Sequence, residues 1–403
     1  MPARTKPAPP GWQRRQVLQA GAALGCTVAV PNAPASARPS SGAAALAGGE
    51  AFPEAKRPAP MKLICVEEHV LDPAIGAATQ GLVRREAPYL ADWGSRVVDG
   101  TRVADRSRPH VVAPSESARK ALDMGSARLA DMDGAGIDMQ VLSYGGFPQL
   151  LPADQAVALN QAANDKLAQA AQSHPQRFSG FATLPWQAPD AAARELERAV
   201  KQLGLRGALI NGRPGVGFLD EQRYEPILAA LNELGVPLYV HPGLPLAQVQ
   251  APYYGGLDKE LSARLSMFGW GWHHEAGIQV ARMLLTGVFD RHPRLQVISG
   301  HWGEMVPFFL QRLEDAIPQE ASRLKRPVVQ TYCEHVYVSP SGMLTLPHFQ
   351  FIHALMGAER ILYSIDYPYQ SLDGARAFLD GLPIADADKA LIAHGNAQRL
   401  LGL

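Results

Sequence analysis

The stretch "LICVEEHVLD" (63–72) runs through four apolar residues and then presents Glu67, Glu68 and His69 before turning polar at Asp72. A buried strand does not end in three ionisable groups unless something satisfies them. Seven further short apolar runs follow: 137–144, 178–185, 206–211, 236–241, 295–301, 335–339 and 360–366. Amphipathic stretches such as "DAAARELERAVKQL" (190–203) lie between most of them, with apolar residues at i, i+3, i+4 and i+7. The runs are continuously apolar rather than alternating, as parallel strands covered on both faces require. Eight strand–helix units over 61–403 predict an α/β fold, a (β/α)8 barrel. The competitor, a doubly wound open sheet, lacks a G-x-G-x-x-G after its first strand.

The spacing predicts insertions after strands 1 and 5, at 70–120 and 242–272. The second is rich in Tyr, Phe, Trp and Gly, and reads as a lid or an oligomer contact. Lys+Arg and Asp+Glu balance at 38 each, so charge gives no reason to expect nucleic acid as a partner. The cysteines, Cys26, Cys65 and Cys333, form no C-x-x-C pair; Cys65 and Cys333 read as two buried thiols.

The N-terminal region is a separate object. Arg14-Arg15, a moderately apolar stretch and an A-x-A pattern ending at Ala37 read as a twin-arginine export signal over 1–37. "ALGC", ending at Cys26, is a lipoprotein-style alternative. Residues 38–60, rich in Ala, Pro, Gly and Ser, read as a flexible linker. The expected mature protein is the barrel at 61–403, periplasmic or extracellular, with no membrane span.

Several strands end in residues suited to metal binding or proton transfer. The first ends Glu67-x-His69, the fifth at His241 in "YVHPG", the sixth at His301 in "SGHWGE" and the eighth at Asp366 in "YSIDYP". In a barrel these ends converge on one rim. Residues i and i+2 of a strand share a side, so Glu67 and His69 face the axis together while Glu68 points away as a supporting carboxylate. Two imidazoles and two carboxylates would make a compact divalent-metal site. Any one of them alone reads more simply as a hydrogen-bonded strand end or a turn former.

The E-x-H strand, "HPG", "GHWGE", "DYP" and the terminal "GNAQRL" together resemble the amidohydrolase superfamily. Within it they resemble the decarboxylase branch that includes aminocarboxymuconate semialdehyde decarboxylase and γ-resorcylate decarboxylase. The resemblance covers about 61–403. It implies Glu67, His69, His241 and Asp366 as ligands of one divalent ion, Zn²⁺ or Mn²⁺, with His301 catalytic and Glu304 its paired acid. Three residues apart at the start of an expected helix, His301 and Glu304 would share a face. Glu304 also reads as a first-turn acid stabilised by the helix dipole. Oligomers are common in the branch, but no residue pattern marks a subunit interface.

The expected reaction is metal-dependent, non-oxidative decarboxylation of a small hydroxyaromatic or related unsaturated acid. Asp366 would deliver a proton to the ring carbon, and His301 would stabilise charge on a ring oxygen. Hydrolysis of a lactone or amide on the same site is the alternative, and an exported binding protein is a third. Of the remaining histidines, His174, His292, His348, His353 and His394 read as structural. His273 and His274, in the aromatic insert, are candidates for substrate contact. Asn396 is expected to tie the C-terminal segment to the barrel.

Overall fold

The computed structural model describes residues 61–90 and 114–403. The expected export signal (1–37) and linker (38–60) lie outside the described residues, as does 91–113 of the first insert. Among the described residues seven parallel strands form: β1 Ile64–Val70, β2 Met139–Tyr144, β3 Phe178–Gly180, β4 Ala208–Asn211, β5 Leu238–His241, β6 Val297–Ser299 and β7 Val336–Val338. They pair in the orders β1-β2-β3 and β4-β5-β6-β7.

Single bridges close the ring. Ala182 pairs with Ala208, joining β3 to β4. The eighth run, 360–366, forms no continuous ladder. It bridges Ile361 to Val338 on one side, and Tyr363 to Cys65 and Tyr367 to Glu68 on the other. The expected barrel is present, with its eighth stave held by bridges.

The pleat divides the strands into two faces. Leu238 and Val240 of β5 pack outward into the larger hydrophobic cluster, against the helices. Leu209, Tyr239, Ile298, Tyr337 and Leu362 belong to a second, smaller cluster that fills the barrel, and Ala397 and Leu401 of the C-terminal helix join it. Asn396 donates from Nδ2 to the carbonyls of Ala358 and Ile361, the expected tie.

The face reverses once, in β1. Ile64 and Val66 pack inside while Cys65 and Val70 pack outside. Simple alternation from Ile64 and Val66 would turn Glu68 inward and Glu67 and His69 out. The register shifts between Cys65 and Glu68: Cys65 pairs with Gln140 but Glu68 pairs with Leu142, so β1 carries one extra residue. This bulge turns Glu67 and His69 to the axis, as bulges beside functional sites do.

After β1, Asp72 caps the helix Pro73–Glu86, accepting from the N–H groups of Ala74 and Ile75. The second insert contains helices Ala247–Tyr254 and Lys259–Ser266 and leads into Gly271–Leu285. Cys65 is buried as expected, whereas Cys333, on the helix Val328–His335, is only half-buried. No helix among the described residues is long and apolar enough to cross a membrane.

Candidate metal centre and active site

Glu67, His69, His241 and Asp366 each offer one ligand atom within 4.8 Å of the others, and all four residues are buried. Their positions follow from the pleat: the bulge aims Glu67 and His69, His241 is two residues beyond inward-facing Tyr239, and Asp366 is four beyond inward-facing Leu362. His69 Nε2 lies 3.1 Å from Asp366 Oδ1, and His241 Nε2 lies 3.5 Å from Glu67 Oε1.

Two of these atoms have no hydrogen-bond partner. Glu67 Oε1 and His69 Nε2 are buried and unsatisfied, a costly arrangement unless a cation completes it. The other ends of the ligands are held. His241 Nδ1 is 2.8 Å from the carbonyl of Pro242, which only accepts, so Nδ1 carries the proton and Nε2 offers a lone pair. His69 Nδ1 is 3.2 Å from Ser143 Oγ. Glu67 Oε2 accepts from the hydroxyls of Tyr239 and Ser341.

Electrostatics agree with this geometry. Burial pushes the Glu67 carboxyl above its usual range, although His301 and His69 oppose it. Burial, with the neighbouring rings of His69 and His301, drives His241 well below the ordinary imidazole value, so it stands neutral and ligand-ready. These four side chains fit one divalent ion.

Glu68 turns away as expected. It accepts from the N–H of Ile365 at 3.0 Å and of Tyr367 at 3.3 Å, the residues flanking Asp366. Arg128, buried and 2.6 Å from the carbonyl of His69, reinforces the same joint.

His301 and Glu304 are brought together, but not by a helix. Residues 301–305 take φ values of 47°, 59°, 89°, 52° and 66°. This is a left-handed turn, which costs non-glycine residues roughly 1–2 kcal/mol each. The expected right-handed helix begins only at Val306, so no helix dipole acts on Glu304 from its own first turn. The turn is held from outside: the N–H of Trp302 donates to Ser339 O at 2.9 Å and that of His301 to Ser341 Oγ at 2.9 Å. Asp366 and Ser341 also have positive φ, at 67° and 47°. Strain gathers at this rim, as it does where geometry serves a site.

Within the turn, His301 Nδ1 lies 2.7 Å from Glu304 Oε1, and His301 Nε2 lies 3.9 Å from Asp366 Oδ2. Burial alone would lower the His301 pKa. Glu304, with Glu67 and Asp366, outweighs this and raises it to about 9. Burial likewise opposes ionisation of Glu304, yet His301 and His273 hold its carboxyl below the usual range.

Beside the ligand cluster opens a cavity of about 190 Å³ floored by His69, His241 and Asp366. Its walls are mostly apolar, including Leu71, Phe147, Met267, Phe268, Trp272 and Tyr369. Three of these, Met267, Phe268 and Trp272, come from the second insert, which thus shapes the cavity. His301 does not line this cavity and reaches the site past Asp366. Of the two insert histidines, His274 is exposed, and His273 contacts Glu304 rather than the cavity.

Sequence reading missed Tyr239, Ser341 and Arg128. Tyr239 was recoverable, because it stands two residues before His241 on the same strand and so faces the same way. Ser341 and Arg128 carry no such signal, since only the folded chain brings them to β1.

Comparison with known proteins agrees. Residues 106–403 match the amidohydrolase family Amidohydro_2. The chain is 35% identical over 286 residues to the decarboxylase orsB of Emericella nidulans, covering 69% of this chain and 85% of that one. It is 34% identical over 301 residues to γ-resorcylate decarboxylase of Rhizobium radiobacter, covering 72% of this chain and 90% of the relative. A crystal structure of 5-carboxyvanillate decarboxylase from Novosphingobium aromaticivorans, complexed with manganese and 4-hydroxy-3-methoxy-5-nitrobenzoic acid, superposes with a TM-score of 0.74 at 30% identity. That match covers 85% of this chain and 96% of the other. By family match and by relatives covered over most of their length, the chain belongs to the amidohydrolase family.

Proposed function

We propose that the protein is a metal-dependent, non-oxidative decarboxylase of a small hydroxylated aromatic acid. The observation that carries this is a four-ligand cluster, three members of which floor a mostly apolar cavity, with the His301 imidazole 3.9 Å behind Asp366. Relatives at 34–35% identity named as decarboxylases support it.

On this reading Glu67, His69, His241 and Asp366 hold the ion. A bound divalent ion supplies Lewis acidity to the substrate's carboxylate and neighbouring hydroxyl. Mn²⁺ is favoured over Zn²⁺ by the two carboxylate donors and by the manganese in the carboxyvanillate decarboxylase.

The aromatic walls align one ring over the floor, and the apolar lining limits water. Asp366 delivers a proton to the ring carbon that bears the carboxylate. The bond to the carboxylate then breaks, its electron pair restores the aromatic ring, and CO₂ leaves. Protonating first avoids an unstabilised aryl carbanion. His301, charged through Glu304 and with Nε2 3.9 Å from Asp366 Oδ2, lies outside the cavity wall and so serves Asp366 rather than the ring oxygen: it passes a proton to the Asp366 carboxylate. Solvent returns the proton to His301 after product release.

The test is metal-dependent CO₂ release from a panel of hydroxybenzoates by wild-type protein and His301→Asn. A new carboxylic acid from a lactone or amide, without CO₂ from any acid, would move the assignment to hydrolysis. The Arg14-Arg15 pattern and the A-x-A ending at Ala37 support an exported enzyme. Cell fractionation of wild type against an Arg14→Lys, Arg15→Lys variant checks that reading.

A further inference from the structure

We propose that His273 is a positioning residue that fixes the Glu304 carboxylate, and through it the ring of His301, against the wall of the cavity. The inference rests on the decarboxylase reading only for its kinetic consequence. His273 stands in the first turn of the helix Gly271–Leu285, directly after the cavity residue Trp272. Its Nδ1 lies 2.9 Å from Glu304 Oε2, while Glu304 Oε1 faces His301 Nδ1 at 2.7 Å. One fully buried carboxylate is thus held by two imidazoles, one on each oxygen. The rings of His273 and His301 meet edge to face, with centroids 4.3 Å apart.

The direction of these bonds is fixed. Glu304 is ionised and only accepts, so Nδ1 of His273 must donate. Nε2 of His273 is shared: it lies 2.9 Å from the carbonyl of Phe268 and 3.1 Å from the indole Nε1 of Trp272. It donates to the first or accepts from the second, and either way Nδ1–H stays on Glu304. Phe268 and Trp272 both line the cavity. His273 therefore ties the aromatic insert to the Glu304–His301 pair. Without it, Glu304 Oε2 would be a buried acceptor missing this donor, free to rotate and release His301. Within the turn itself the N–H groups of His301, Trp302, Gly303 and Met305 are already engaged, by Ser341, Ser339, Gly300 and Gly303.

Two isosteres separate the two ends of the ring. Asn at 273 places an amide N–H near Nδ1 and keeps the Glu304 bond. Gln places it near Nε2 and keeps only the Phe268 bond. The experiment compares metal-loaded wild type, His273→Ala, His273→Asn and His273→Gln, with 2,6-dihydroxybenzoate as substrate for the kinetics and with diamagnetic Zn²⁺ bound for the spectra. It also follows the downfield imidazole N–H proton resonance assigned to His301 by its loss in His301→Asn. His273→Ala should lower kcat about 10- to 100-fold, the scale of a lost partner one shell out from the reacting groups, with KM nearly unchanged, and should shift or broaden the resonance. His273→Asn should recover most of kcat and the resonance, and His273→Gln should not. Recovery by Gln but not Asn, equal behaviour of Ala and Asn, or a change confined to KM would overturn the proposal. If wild type releases no CO₂ from this acid, the decarboxylase reading is what has failed for it, and the resonance in the four proteins alone decides the role of His273.

Discussion

His301 and Glu304 are hydrogen-bonded at 2.7 Å across a turn whose backbone is left-handed from residue 301 to 305. The pairing is bought with strain, and its product is a charged imidazole beside Asp366. His301 is held up at about 9, so it is charged below that pH and loses its charge as pH rises through it. Turnover should therefore fall on the alkaline side near this value. In Glu304→Gln the largest raising influence is gone, and the alkaline limb should move down to about 6.5 or lower, toward the ordinary imidazole value. A pH–kcat/KM profile of both proteins checks this; an unmoved limb would remove Glu304 from the role.

His301→Asn should keep its metal and lose turnover by about 100- to 10,000-fold, the range typical of a lost acid–base group. By contrast, His69→Ala and His241→Ala should lose both metal and turnover. Metal analysis beside kinetics separates the two classes, and metal loss in His301→Asn would place it among the ligands instead.

Gly300 is constrained by what surrounds it. A Cβ there would meet Ser341 Oγ at 2.6 Å, Glu67 Oε2 at 2.8 Å and the Tyr239 hydroxyl at 2.9 Å. Gly300→Ala should displace the Glu67 carboxylate and lower metal affinity, about 10- to 100-fold if it acts as the loss of an outer-shell partner does. Competition with a chelator measures this. Unchanged affinity would mean that Oε2 and its hydroxyl partners do not position the ligand.

Away from the site, Asp72 caps the helix Pro73–Glu86 and pairs with Lys166 at 2.6 Å. Burial opposes its ionisation, but the bonds from Lys166 and the N–H groups of Ile75 and Ala74 win and hold the carboxyl below its usual range. A depressed carboxyl contributes stability that is present above its unfolded value, near 3.9, and lost as pH falls through the lower folded value. Asp72→Ala should lower stability by about 1 kcal/mol at neutral pH, and by less as pH drops toward 3. Denaturant melts at the two pH values measure the difference.

The barrel was legible in the sequence because each stave is a continuous apolar run, and such runs are read without knowing their partners. Asp366, His241 and His69 were legible for a similar reason, since each ends a run. The bulge in β1 was not. Counting inward from Ile64 and Val66 gives the wrong face for Glu67, and only the pairing with Gln140 and Leu142 shows the extra residue. The reading of Glu67 and His69 as a pair succeeded because i, i+2 parity holds on the far side of the bulge. The left-handed turn at 301–305 was equally hidden. Trp302, Glu304 and Met305 carry no local preference for positive φ, and the conformation is held by Ser339 and Ser341 from the segment that follows β7. The weakness of the eighth stave, bridged rather than laddered, likewise depends on its neighbours and not on "RILYSID" itself.

The measurement that tests the central claim most directly is CO₂ evolution by the purified chain, loaded with Mn²⁺ or Zn²⁺, from a panel of hydroxybenzoates, followed with the ultraviolet absorbance of the acid. The account predicts stoichiometric CO₂ and decarboxylated phenol, abolished by chelation, restored by metal and slowed at least about 100-fold in His301→Asn. Metal-loaded protein that releases no CO₂ from any acid in the panel, or that turns over equally well after chelation or without His301, would contradict it.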